Sequence, residues 1–264
     1  MAKTIFGTFE WATHNINILN GCNHDCRYCY SKEMAVRFKR KTIYNWKEEE
    51  LIQDISNLKI PKNTGTIMFP SSHDLSPYYI NEEIEVIRYL LENNKNVLLV
   101  TKPHINVIQS ICDIFTNYKD KILFRFTIGS MSDDSLIFWE PNAPTFSERF
   151  ESLKLAYNYG YLTSVSCEPM LDDKTSILIE TLQDYITDSI WIGKPNFLLR
   201  RLKINGFNKE TPVYKEGVNL LNKLNNNYIN SLYEEYKYNN KIKWKESIKK
   251  IIGIELPIKV GLDI

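Results

Sequence analysis

The feature that most limits the possible folds of this chain is a regular alternation of short apolar runs with amphipathic runs of helical length. Six apolar runs have strand character, at residues 16–19, 66–69, 96–101, 122–128, 162–167 and 189–192. Helical spacing of apolar residues predicts helices over 48–58, 81–93, 105–117, 145–159 and 175–187. Alternating strands and helices favour a parallel sheet. The pattern therefore predicts an α/β protein with a parallel barrel or a doubly wound sheet.

The character of the chain changes near Gly206. Asn, Lys and Tyr become frequent there, and apolar residues such as Val218, Leu221, Leu224 and Leu232 recur at roughly helical spacing. We therefore predict two parts, an α/β core over residues 1–205 and a helical C-terminal extension over residues 206–264. The extension is expected to cover the open side or the bottom of the core.

The composition fits a single large domain with a modest appendage. The chain has 264 residues, of which 43% are hydrophobic and 25% are charged. No apolar run approaches the roughly 20 residues of a membrane span, and no basic leader with an apolar core opens the sequence. Three of the five cysteines are clustered, which argues against a disulfide framework. We expect a cytoplasmic protein without a membrane partner.

Charge is distributed unevenly along the chain. The net charge is only +1, so no global basic field indicates a nucleic-acid partner. Residues 196–264, however, carry 13 Lys and Arg against 7 Asp and Glu. A solvated helical face is the simpler explanation of this basic tail. Binding of a nucleic acid by the basic C-terminal region is the alternative.

Three cysteines, Cys22, Cys26 and Cys29, lie within eight residues in the spacing C-x3-C-x2-C. Three thiolates in one loop suit a [4Fe–4S] cluster, because cluster iron takes soft sulfur ligands and a set of three leaves one iron open. An open iron can bind a substrate or a cofactor. A structural zinc site with His24 or a distant residue as the fourth ligand is the alternative. Zinc sites usually pair two short cysteine knuckles, and the sequence has no second one.

Polar residues near the strand ends indicate where a site would form. In a parallel barrel the active site lies at the carboxyl ends of the strands, and side chains alternate between the two faces. Alternation places Arg125 and Thr127 on the lumen face of the fourth predicted strand, where they either line a ligand cavity or pair with residues of other strands. The same alternation predicts that the side chains of Lys102 and Glu168 point to the barrel mouth, at the carboxyl ends of the third and fifth strands. Cys167 has the opposite parity, so we expect it to pack beneath the helices.

The cluster loop, with Tyr28 in its aromatic position, resembles that of the radical S-adenosylmethionine (SAM) enzymes. A longer set of segments resembles spore photoproduct lyase and its relatives, and together with the cluster loop it covers roughly residues 15–172 in the same order. These segments are Ser71-Ser72-His73-Asp74, Val100-Thr101-Lys102, residues 124–128, residues 138–141, residues 147–149 and Gly160-Tyr161. The resemblance implies a partial (βα)6 barrel of the TIM type. It also implies a [4Fe–4S] cluster that cleaves SAM to methionine and a 5′-deoxyadenosyl radical.

The resemblance also implies a role for each matching residue. The three cysteines would hold the cluster, Lys102 would bind the SAM carboxylate and Thr127 would contact the ribose. Ser72 and Asp74 would meet the amino group of SAM, and Tyr28 would pack near the adenine. Arg125 is a further cofactor-binding candidate because it shares a strand face with Thr127. The full set of cofactor and metal candidates is Cys22, Cys26, Cys29, Tyr28, Ser72, Asp74, Lys102, Arg125 and Thr127.

One departure bears on the reaction. Spore photoproduct lyase has a hydrogen-donor cysteine where this chain has Ser71, and a serine O–H bond is too strong to replace a thiol. We therefore expect a different substrate or a different end to the radical chain, with Tyr79, Glu168 or a second SAM as participants.

The sequence is compatible with three functions. The leading expectation is a radical SAM enzyme acting on a nucleic acid or nucleotide, of a lyase or nucleic-acid-modifying kind, with a flavodoxin or ferredoxin as electron donor. The alternatives are a radical SAM enzyme that modifies a peptide or small metabolite, and a zinc-binding module without catalytic activity.

Overall fold

The computed structural model describes residues 5, 7–53, 55–60 and 65–261. Its strands are β1 His14–Asn15, β2 Leu19–Asn20, β3 Glu50–Leu51, β4 Thr66–Phe69, β5 Asn96–Thr101, β6 Ile122–Thr127, β7 Leu162–Cys167, β8 Ile190–Ile192 and β9 Ile242–Trp244. Its α-helices are α1 Tyr30–Arg37, α2 Ile80–Glu92, α3 Ile105–Ile114, α4 Asp133–Trp139, α5 Phe146–Asn158, α6 Thr175–Leu182, α7 Leu198–Ile204, α8 Pro212–Lys223, α9 Asn226–Tyr236 and α10 Glu246–Ile252.

Seven strands form one sheet in the order β1-β4-β5-β6-β7-β8-β9, and every neighbouring pair is parallel. The two end strands, β1 and β9, do not pair with each other, so the sheet is an open partial barrel. β2 and β3 form a separate antiparallel pair. The predicted α/β class and partial barrel are confirmed. The carboxyl ends of the parallel strands meet at one mouth, where ligands bind in such sheets.

Packing on the two faces of the sheet follows the predicted alternation. The larger core lies between the strands and the helices, and contains Phe124, Phe126 and the fully buried Cys167. A smaller cluster built on Met68 and Leu98 lies on the opposite, lumen face. The period of two along each strand therefore separates lumen residues from outer residues as the sequence predicts.

The C-terminal extension contributes a strand as well as helices. α8, α9 and α10 confirm its helical character, but β9 pairs in parallel with β8 and becomes the seventh strand of the sheet. The sequence does not predict β9 because its apolar–polar alternation covers only three residues, Ile242, Lys243 and Trp244. A pattern this short cannot be distinguished from one turn of a helix. The division into two parts at residue 206 stays a prediction.

Two further sequence predictions are wrong in the neighbourhood of the cluster loop. The run 16–19 is not a sheet strand, because the sheet pairing lies at His14–Asn15 and Leu19–Asn20 pairs with Glu50–Leu51 instead. The segment 48–58 is not a helix. It holds that short strand and a 3-10 turn over Ile55–Asn57. The physical reason is tertiary: the backbone of this segment bonds to the segment around the cluster loop, as Ile52 N donates to Ile18 O at 2.8 Å.

Gly21 allows this close approach of the two segments. It has φ +108°, a left-handed conformation that favours glycine, and a Cβ at this position would overlap the carbonyl oxygen of Glu48. Cys22 N donates to Trp46 O at 3.0 Å directly beside it. None of the helices in the described part of the chain is both long and apolar enough to span a membrane.

Candidate functional site

A cavity of about 170 Å³ opens at the carboxyl ends of the strands. Three parts of the chain meet there: the cluster loop, the loop that follows β4, and the ends of β5 and β6. The predicted site residues that line the cavity are Cys22, Cys26, Tyr28, Cys29, Ser72, Asp74, Lys102 and Thr127. The structure thus brings together eight of the eleven residues predicted from the sequence.

The three clustered thiols face this one cavity. Burial raises the pKa of the Cys22, Cys26 and Cys29 thiols, and for Cys29 the N–H of Lys32 and nearby positive charge oppose the rise. Among the described residues no three Cys, His, Asp or Glu side chains converge where a single metal ion would be held. Three soft thiol donors that line one cavity fit an iron–sulfur cluster, whose iron atoms take sulfur ligands.

Asp74 joins the three parts of the site. Its carboxylate accepts hydrogen bonds from the Thr101 hydroxyl and from the backbone N–H groups of Leu75 and Lys102, the last at 3.1 Å to each oxygen. His24 Nδ1 in the cluster loop lies 3.2 Å from Asp74 Oδ2. Burial opposes ionisation of this carboxyl. His24, Lys102 and Thr101 nevertheless hold the pKa of Asp74 well below its usual range.

The Lys102 ammonium is the main cation of the cavity. Its Nζ lies 3.8 Å from Asp74 Oδ2, too far for a strong hydrogen bond. Burial opposes the charged form, but Cys26, Glu140 and Asp74 together raise the pKa of Lys102 above its usual value. Lys102 is therefore charged, and its donors remain available to a carboxylate ligand.

Asn17 holds the loop after β4 in place. Its Oδ1 accepts from the backbone N–H groups of Ser71 and Ser72 at 2.8 and 2.7 Å, and its Nδ2 donates to Ser71 Oγ at 3.0 Å. His73 is buried beside this loop and accepts from Ile18 N at its Nε2. Burial lowers the pKa of His73 to about 4, so its ring is neutral near pH 7 and serves as a packed hydrogen-bonding group.

Tyr28 is fixed by a buried ion pair that the sequence analysis gave no role. Its hydroxyl donates to Glu140, and Glu140 Oε2 lies 2.6 Å from Arg149 Nη2, with both charged side chains fully buried. Arg149 also donates to the Thr127 and Pro144 carbonyl oxygens at 3.2 and 2.8 Å. The pair therefore links the cluster loop to the end of β6. In the sequence, Glu140 and Arg149 stand out only as members of the segments that resemble spore photoproduct lyase, and nothing there predicts that they pair.

Asn205, at the end of α7, is a second residue that sequence reasoning missed. Its Nδ2 donates to the carbonyl oxygens of Arg27 and Cys29 at 2.9 and 3.1 Å, across more than 170 positions of sequence. No local sequence pattern predicts this role for an asparagine, because its hydrogen-bond partners are distant in sequence and come close only in the folded chain. Through Asn205, α7 fixes the backbone of the cluster loop.

Three predicted site residues lie outside the cavity. The Arg125 guanidinium faces the lumen but bonds to Ser164 Oγ at 2.9 Å and Asp188 Oδ2 at 3.1 Å. Glu168 lies at the barrel mouth, 3.6 Å from Lys245 Nζ. The Tyr79 hydroxyl donates to a backbone carbonyl, that of Glu49. A cofactor role for Arg125 and catalytic roles for Glu168 and Tyr79 stay predictions.

The chain is similar to known proteins of one superfamily. Residues 16–184 match the model of the radical SAM superfamily. An uncharacterized protein, ORF301 of Acidianus two-tailed virus, is 23% identical over 173 residues, which are 61% of this chain and 56% of the viral protein. The chain thus spans little more than half the length of that relative.

Solved structures with a similar fold include two radical SAM enzymes. A mutant of spore photoproduct lyase with bound AdoMet and dinucleoside spore photoproduct has a TM-score of 0.60 and 12% identity, covering 92% of this chain and 78% of that one. SuiB of Streptococcus suis bound to S-adenosylmethionine has a TM-score of 0.56 and 10% identity, covering 94% of this chain and 54% of that one. At these identities the likeness concerns the fold alone.

The buried Glu140–Arg149 pair generates a stability prediction. Glu140→Gln leaves the Arg149 charge buried without its partner, so we expect the free energy of unfolding to fall by about 3–5 kcal/mol. Glu148→Gln is the matched control, because its carboxylate is partly exposed and its change is expected to cost less than about 1 kcal/mol. Urea unfolding of both variants measures the difference. A similar small loss in both would contradict a supporting role for the pair.

Proposed function

Because this chain belongs to the radical SAM superfamily, we propose that it is an enzyme that abstracts hydrogen from a nucleic acid or nucleotide. The superfamily uses a [4Fe–4S] cluster and SAM, and these are the cofactors of this chain. Reduction of such a cluster requires an electron donor, for which we propose a flavodoxin or ferredoxin. A reducing compartment, the cytoplasm, suits the free thiols and the cluster.

One observation carries the proposal: three thiols, a charged lysine and a strand-end threonine open into the same cavity. We assign Cys22, Cys26 and Cys29 to the cluster. When bound, the cluster and SAM supply a 5′-deoxyadenosyl radical. The residues of the chain bind and orient these cofactors and exclude water from the cavity.

The polar groups of the cavity suit the parts of SAM differently. We assign Lys102 to the carboxylate, because its ammonium is charged and only weakly engaged by Asp74. Thr127 is assigned to the ribose and Tyr28 to the adenine. Ser72 is the freer candidate for the amino group, since the Asp74 carboxylate already accepts bonds from Thr101, Leu75 and Lys102. Asp74 then mainly orients Lys102 and the loop that carries Ser72.

The last step of the reaction, in which spore photoproduct lyase uses a cysteine thiol to donate hydrogen to the substrate radical, should differ in this chain. Ser71 lines the cavity where spore photoproduct lyase has its donor cysteine. Among the described residues, the two cysteines outside the cluster loop, Cys112 and Cys167, are fully buried in the outer core. A substrate radical would therefore meet no thiol of this chain outside the cluster loop. We propose a modification or rearrangement of the substrate in place of photoproduct repair.

Lys102→Ala tests the cofactor assignment. Loss of a hydrogen bond to a charged group should weaken SAM binding by about 1.5–3 kcal/mol. The iron content of the reconstituted protein should not change, because Lys102 holds no iron. Lys59→Ala, at an exposed lysine away from the cavity, is the control. Isothermal titration with SAM under anaerobic conditions measures both, and an unaltered affinity of Lys102→Ala would remove Lys102 from the site.

The substrate class is tested by following the abstracted hydrogen. Reduced enzyme and SAM are incubated with perdeuterated nucleic acid or, separately, with a perdeuterated peptide digest. We expect deuterium in 5′-deoxyadenosine only with the nucleic acid, since the radical takes its hydrogen from the substrate. Mass spectrometry of 5′-deoxyadenosine gives the answer. Deuterium transfer from the peptides alone would establish the peptide alternative and refute the proposed substrate.

A further inference from the structure

A basic and aromatic surface adjoins the cofactor cavity. It follows α1 from the cavity outward and continues across the start of α7. We call it the rim surface and define it by Tyr30 and Arg37 of α1 and by Phe197, Arg200 and Arg201 at the start of α7. Tyr30 lines the cavity and is 50% exposed. α1, which begins at Tyr30 and ends at Arg37, is about 12 Å long.

Positive charge accumulates on this surface around one buried carboxylate. Glu33 is buried and lies 2.9 Å from Arg200, 3.6 Å from Arg201 and 3.7 Å from Arg37. One carboxylate cannot balance three guanidinium groups, and Arg37 and Arg200 are each more than half exposed. Lys39 and Arg40 add exposed charge beyond them. The rim surface is strongly cationic in a chain whose net charge is only +1.

Exposed aromatic rings alternate with these cations. The Arg200 guanidinium lies 4.7 Å from the centre of the Phe197 ring, and Arg201 lies 5.6 Å from that of Tyr30. Phe38 and Phe197 are 62% and 66% exposed. Phe197 also has φ +53°, a left-handed conformation that is unfavourable for a bulky residue. Packing does not explain a strained phenylalanine held in solvent, and such residues concentrate at functional sites.

The rim surface is connected to the cluster loop through both α1 and α7. α1 follows Cys29 directly in the chain, and α7 packs against α1. At the other end of α7, Asn205 bonds to the backbone of Arg27 and Cys29. A ligand on this surface would therefore be held at a fixed position relative to the cavity.

We propose that the rim surface binds a single-stranded segment of nucleic acid and leads it to the cavity, an inference that rests on the proposed function. The arginines would contact phosphates, and the exposed rings would stack on bases, which is how single strands are bound without sequence preference. An acidic peptide would engage the charges but would leave the exposed rings without a stacking partner. The alternation of rings and cations therefore favours the nucleic acid.

The experiment compares two matched pairs of substitutions in the reconstituted protein. Phe197→Ala with Arg200→Gln alters the rim surface, and Glu33 keeps Arg37 and Arg201 as partners. Tyr238→Ala with Lys237→Gln is the control. It removes another exposed ring and cation, 5.2 Å apart and far along the basic tail. Anaerobic fluorescence anisotropy with a labelled oligothymidylate of about ten nucleotides measures Kd between about 50 and 200 mM salt.

We expect Kd to rise at least about tenfold in the rim variant and to change less than about twofold in the control. The slope of log K against log salt should become shallower by about 0.7 for the lost phosphate contact. Equal binding by the rim variant and wild type would overturn this inference and leave the proposed function standing. A greater loss in the control would also overturn it, and would place binding in the tail. Wild-type protein that binds oligoglutamate but no oligonucleotide would refute the nucleic-acid substrate itself.

Discussion

The carboxylate of Asp74 is the interaction on which the geometry of the site depends. It contacts His24 of the cluster loop, the Thr101 hydroxyl and the Lys102 N–H at the end of β5, and the N–H of Leu75 in its own loop. Burial of a charge is costly unless the charge is paired and hydrogen-bonded, as it is here. The partners of the Asp74 carboxylate come from the segments that carry the three thiols and Lys102. These contacts therefore bring the thiols and the Lys102 ammonium to the same cavity.

A second set of contacts connects the cluster loop to parts of the chain that are distant in sequence. The buried Glu140–Arg149 pair holds Tyr28 against the end of β6, and Asn205 holds the backbone of the cluster loop from α7. β9 completes the sheet from the C-terminal extension. The extension is thus joined to the barrel by pairing of strands, and the helix that precedes it supports both the cluster loop and the rim surface.

The sequence predicts those features that depend on local periodicity. Alternation along the strands predicts Thr127 on the lumen face, Lys102 at the end of its strand and Cys167 beneath the helices, and the structure has all three there. Local patterns failed where pairing across the chain decides the structure, as in the segment 48–58. Asn205 and the Glu140–Arg149 pair were missed for the same reason. The parity that correctly placed Arg125 in the lumen could not show that Asp188 engages its guanidinium.

The central claim is that Cys22, Cys26 and Cys29 hold a [4Fe–4S] cluster that reacts with SAM. Iron and sulfide analysis with electron paramagnetic resonance of the reduced protein, before and after addition of SAM, tests it most directly. We predict one cubane cluster per chain and a SAM-dependent change of the signal. Both should be lost when the three cysteines are replaced by alanine and kept in the Cys112→Ala and Cys167→Ala double variant. A triple variant that retains a cubane cluster, or a wild-type protein that binds zinc in its place, would contradict the account.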